Sequence, residues 1–124
     1  MRFGNLFKDA VNDAIGSDYD AIEPAAVQTN LLVMTESKER QAVIKKLRVG
    51  SLVRLNRTRR NGQTVYVVKD MKTDKTIGEI SYGSSDYLDE NYRNYKMLGK
   101  VTEIGKITPM GHGNQVRIEY KVYL

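Results

Sequence analysis

The sequence predicts an α+β chain, mainly β: a small antiparallel six-stranded barrel with two or three helices. Three observations predict it. Apolar and polar residues alternate in several short runs, most cleanly at the end, where Val116, Ile118, Tyr120 and Val122 share one face and Arg117, Glu119 and Lys121 the other. Asn61-Gly62 separates two such runs, and both residues tolerate the positive φ of a type I′ hairpin turn. Finally, 124 residues, 40% hydrophobic and 28% charged, suit one compact domain, and closing short strands into a barrel removes exposed edges.

The elements follow in order. Residues 1–16 read as an amphipathic helix capped by Asn5, with Phe7, Val11 and Ala14 at helical spacing and Gly16 as its stop. Residues 17–24 read as an acidic linker, so residues 1–24 form an N-terminal segment and residues 25–124 the barrel domain. Val27 and the run Leu31-Leu32-Val33-Met34 predict a first strand. A turn or cap at residues 35–38 leads into a helix over 39–47, whose Val43, Ile44 and Leu47 point one way. Strands are expected over 52–56 and 64–69 around the Asn61-Gly62 turn. A turn at 71–75 then precedes a strand over 76–81, with Gly78 where backbone or a bend needs room. Asp86 is expected to cap a helix carrying Leu88, Tyr92, Tyr95 and Leu98 and closed by Gly99. A final hairpin spans 100–108 and 115–124 around the loop 109–114.

Composition narrows the chemistry. With no cysteine, disulfides, thiolate metal sites and cysteine nucleophiles are excluded, and a single histidine excludes a multi-histidine metal cluster. The absence of a long apolar run and of a signal-peptide start predicts a cytoplasmic protein with no membrane segment. His112 sits in a glycine-rich loop with no acid nearby to orient it, Ser84-Ser85-Asp86 reads as a helix cap, and Asp89-Glu90 are adjacent and face apart. No catalytic residue, metal site or cofactor is expected, and the chain reads as a non-enzyme.

The net charge of +5 is unevenly spread. Residues 1–36 hold two bases against six acids, whereas residues 37–60 hold nine bases against Glu39 alone. Concentrated positive charge attracts polyanions. Arg40, Arg54, Arg57, Arg59 and Arg60 are the candidate phosphate-holding residues, because guanidinium forks grip phosphate and stack on bases. Tyr66 and Tyr82 are the candidate stacking surfaces for a single strand. The same pattern also suits a solvated hairpin tip with Tyr66 covering the barrel. Adjacent acidic and basic segments further suggest that the two face each other.

Arg40-Gln41, Leu47, Val49-Gly50, Val53-x-Leu55, Val65-x-Val67 and Ile77-Gly78-x-Ile80, followed by a helix and Gly99, resemble the HIRAN domain over roughly residues 25–105. That resemblance implies a modified OB-like or SH3-like barrel, found alone in bacteria and phages or fused to remodelling helicases. It further implies DNA binding, in the fusions to single-stranded ends with a free 3′ hydroxyl. The chain departs from the family between the second and third strands. Thr58-Arg59-Arg60-Asn61-Gly62-Gln63-Thr64-Val65 stands where an acidic-Pro-x-Asn-x-x-Asp-x-x-Ala-Ile pattern is typical, and Glu79 stands after the glycine where a neutral or basic residue is common. Two classes of function follow: a nucleic-acid-binding module for single-stranded DNA or DNA ends, or an interaction module using the N-terminal helix or a sheet edge. The second includes a homodimer through that helix.

Overall fold

The computed structural model describes residues 19–106 and 113–124. The expected helix carrying Phe7 and Val11, with any dimer it forms, and His112 lie outside the described residues. Six strands run β1 (Ala26–Leu31), β2 (Leu52–Arg60), β3 (Gln63–Asp70), β4 (Thr76–Glu79), β5 (Lys96–Lys106) and β6 (Asn114–Tyr123), with α1 (Lys38–Ile44) after β1 and α2 (Tyr82–Tyr92) after β4. They form one antiparallel sheet in the order β1-β6-β5-β2-β3-β4.

The expected barrel does not close. Its edges, β1 and β4, meet at one bridge, where Val33 and Glu79 exchange both backbone hydrogen bonds at 2.9 Å. Met34, with φ 56°, then turns the chain away, so pairing stops after a single step. Asn61 and Gly62 take φ 53° and 77°, and β2 and β3 pair in register on either side of them, as the type I′ turn requires.

One face of the sheet is the core. Val53 and Leu55 of β2, Val68 of β3, Val101 of β5 and Val116, Ile118 and Val122 of β6 are buried there. Helix α1 brings Ile44 to the same core, and Ser37 caps it by accepting from the Arg40 amide at 3.2 Å. Gln41 ties α1 to the last strand: its amide nitrogen donates to Thr35 O at 2.7 Å and Asn114 O at 2.9 Å, and its Oε1 accepts from the Asn114 amide at 2.8 Å. Helix α2 inserts Leu88 and Ser85. The Ser85 hydroxyl donates to Ile80 O and accepts from the Tyr66 amide, each at 3.2 Å, which seats the helix on β3.

Three expected elements shift. Residues 19–21 are helical where a linker is expected. Helix α2 starts at Tyr82, so Asp86 lies inside it and accepts from Gln63 Nε2 at 2.7 Å instead of capping. It also ends at Tyr92, although the apolar spacing runs on to Leu98. From Lys96 the chain instead pairs with β6, Lys96 opposite Tyr123 and Leu98 opposite Lys121, and a ladder with a ten-residue strand outweighs local helical periodicity. Gly99 is therefore a strand residue. A Cβ there would lie 2.6 Å from Glu119 O and 2.8 Å from Tyr120 Cβ, so β6 packs where a side chain would stand.

Candidate nucleic-acid interface

The arginines that stand close in sequence are parted by the strand's alternation. Arg57 and Arg59 lie opposite Tyr66 and Thr64 on the face that α2 covers, whereas Arg54, opposite Lys69, lies on the other face. Arg60, at the strand's end, turns toward β4 and α1. Each is already engaged within the chain. Arg57 Nε donates to Asp89 Oδ1 at 2.5 Å, and Arg93 donates to the same carboxylate at 3.1 Å. Arg59 donates to Gly62 O at 2.6 Å and Thr64 Oγ1 at 3.0 Å. Arg54 pairs with Asp74 of the β3–β4 turn.

Arg40 and Arg60 converge on Glu79. Arg60 grips it with both Nη atoms, at 3.1 and 3.0 Å, while Arg40 Nη1 reaches it at 3.1 Å and Met34 O at 2.6 Å. Burial by itself would raise the Glu79 carboxyl, which is 2% exposed, yet hydrogen bonds from Arg60 and Arg40 hold it below its ordinary value. Tyr82, 56% exposed, stands beside Arg60 and adds to the pull that keeps that guanidinium charged, although Glu79 supplies most of it. Tyr66 does not offer a stacking face. It is 2% exposed and packed in the core, because position 66 falls on the inward side of β3.

A cleft of about 930 Å³ lies between α1 and β4, lined by Arg40, Lys46, Arg60 and Lys75 and also by Glu36, Glu39, Asp70 and Glu79. Its acids and bases balance, so it has no bias toward a polyanion. The outward face of the sheet is different. Strand register aligns Lys69, Arg54, Leu98, Lys121 and Val27 in one row across β3, β2, β5, β6 and β1. Lys100 sits opposite Glu119 and Lys96 opposite Tyr123 on the same face. Lys69, Arg54, Lys96, Lys100, Lys121 and Arg117 thus share the face with Glu119 and with Glu103, which stands opposite Arg117 and pairs with it at 3.7 Å, and Asp74 reaches Arg54 from the turn. At its edge a cleft of about 520 Å³ is lined by Ile22, Arg54, Lys96, Leu98 and Tyr123 among others.

Of the residues singled out from sequence, the structure brings together Arg40, Arg60 and Tyr82 at one end, sets Arg57 against α2, holds Arg59 to its own hairpin turn, and leaves only Arg54 on the basic sheet face. Sequence reasoning missed Lys69, Lys96, Lys100 and Lys121. Their signal is a base at alternate positions of strands whose mutual register appears only on pairing. Among the described residues, no group of three acidic or histidine side chains is placed to hold a metal ion, and no helix is long and apolar enough to cross a membrane. No protein-family model, curated protein or solved structure matches this chain.

Proposed function

We propose that the protein is a non-enzymatic nucleic-acid-binding module of the cytoplasm, OB-like or SH3-like in plan, that takes a single DNA strand across the outward face of its sheet. The observation that carries this reading is the register row Lys69, Arg54, Lys121, with Lys96 and Lys100 beside it. Ammonium groups spaced along strands suit successive phosphates of an extended backbone, and Tyr123 beside Lys96 offers an aromatic surface for a base. A sheet face is the surface on which OB-type modules hold oligonucleotides, and the ordered likeness to the HIRAN domain agrees with that class. Because the acidic end-reading pattern of that family is missing, no preference for a free 3′ hydroxyl over a 3′ phosphate is expected.

Titration of labelled single-stranded and duplex DNA at low and raised salt tests the reading. The expected result is tighter binding of the single strand, with affinity that falls steeply with salt. Folded protein that binds neither at low salt overturns it. One observation favours a second reading, a protein-interaction module: edge strand β1 exposes Val27 (51%) and Leu31 (37%). Salt-insensitive capture of an extended peptide by wild type, lost in Val27→Lys, would establish that reading instead.

A further inference from the structure

We propose that residues 19–24 lie across the basic sheet face as a strap in cis, with Tyr19 in the place of a stacked base, and that a single strand binds by displacing them; this rests on the binding reading above. The Tyr19 ring lies 4.5 Å from Lys121 Nζ and 5.5 Å from Lys100 Nζ, measured to its centroid. A flat ring between two ammonium groups is the arrangement a nucleobase takes on a basic surface. Polar contacts continue the likeness. The Tyr19 carbonyl accepts from Lys121 Nζ at 2.7 Å, as a phosphate oxygen would, and its hydroxyl donates to Glu119 Oε1 at 2.9 Å.

Of the two lysines so occupied, Lys121 extends the row of Arg54 and Lys69 across the sheet and Lys100 stands beside that row. Ile22, three residues on, lines the cleft with Arg54, Lys96 and Tyr123, so the strap runs beside further cations and the aromatic side chain of the face. Its charge has the right sign. Residues 19–24 contain Asp20 and Glu23 and no base, so the strap and the basic face carry opposite charge. The strap is tied to the sheet at its far end, where the Ala25 amide donates to Val122 O at 2.8 Å. Between that point and Tyr19 the chain makes a local turn, with Ile22 N donating to Tyr19 O at 3.3 Å.

An occupied face lowers apparent affinity by the fraction of molecules in which it is open. The test measures binding of a thymidine oligomer of about ten nucleotides at low salt to wild type and to Tyr19→Ala. The expected result is affinity raised about tenfold or more in the variant. Because loss of a buried ring can loosen the fold, hydrogen exchange on wild type supplies an independent reading. On adding the oligomer, the Ile22 and Ala25 amides should exchange faster while those of β5 and β6 slow. Wild type that binds, with Tyr19→Ala equal or weaker and the residue 22 and 25 amides protected, overturns the strap and leaves the binding reading standing. Failure of both proteins to bind overturns both.

Discussion

Arg40 and Arg60 donate to one and the same oxygen of Glu79, Oε2, at 3.1 and 3.0 Å. The two arginines come from α1 and from the end of β2, and Glu79 is the residue whose backbone bridges to Val33. One buried carboxylate therefore fastens the helix, the hairpin and both edges of the sheet at the point where the sheet fails to close.

Removing that carboxylate leaves two guanidinium groups facing each other. Glu79→Ala is expected to destabilise the fold by about 3 to 5 kcal/mol, the usual result of breaking a buried ion pair on one side. Urea unfolding followed by circular dichroism measures it, and a loss below about 1 kcal/mol, the value of a surface pair, would contradict the clasp.

The same site sets an acid response. Burial raises the Glu79 carboxyl and the two arginines lower it by more, so its folded value lies below its ordinary 4.5. A carboxyl lowered on folding stabilises the protein above its unfolded value and loses that contribution as pH falls through the folded value. Wild type should therefore lose stability more steeply than Glu79→Gln as pH is lowered from about 5 to about 3. Parallel acid titrations of the two would place the acid sensitivity elsewhere.

Tyr66 carries a buried hydroxyl with no hydrogen-bond partner. Leaving such a group unsatisfied is unfavourable by about 1 to 3 kcal/mol, so Tyr66→Phe is expected to stabilise the protein by about 1 kcal/mol. Tyr66→Ala opens a core cavity and is expected to lose about 3 to 5 kcal/mol. A stacking residue would behave in the opposite way, losing affinity with stability unchanged, and the two variants measured by urea unfolding and by oligonucleotide titration separate these roles.

Gly99 offers a check on the β5–β6 contact. An added Cβ would meet Glu119 O at 2.6 Å, and that atom is backbone, held in the ladder. Gly99→Ala is expected to destabilise by about 1 to 3 kcal/mol, as overpacking does, whereas alanine at Gly105, which has nothing within 4 Å of a Cβ, should be near neutral. Thermal melts of the pair decide it.

Local chemistry made part of this molecule legible before its structure. The Asn61-Gly62 turn and the alternation of β6 depend on neighbours a few residues away or on a conformational limit of one residue, while the close approach at Gly78, whose Cβ would lie 2.9 Å from Thr35 Cγ2, is legible as a glycine inside a strand although its neighbour stands some forty residues earlier. The end of α2 depends on pairing with β6, some thirty residues later, and the spacing of Tyr92, Tyr95 and Leu98 conceals it. The site was less legible for the same reason. Arg59 and Arg60 are neighbours in sequence that face opposite ways, while Lys69 and Lys121 are distant in sequence and share a row with only Arg54 and Leu98 between them. The acidic partners, Glu79 and Asp89, come from elements that no local pattern links to the hairpin.

The salt dependence of single-strand binding tests the central claim most directly. The double variant Lys69→Ala, Lys96→Ala should lower the slope of log affinity against log salt by about 0.7 per lost contact, or roughly 1.4 in all. Arg59→Ala, Arg60→Ala should leave the slope nearly unchanged, since both guanidinium groups are held by the chain's own acceptors. A slope that falls in the arginine variant and stays at its wild-type value in the lysine variant would place the strand on the hairpin tip and contradict binding across the sheet.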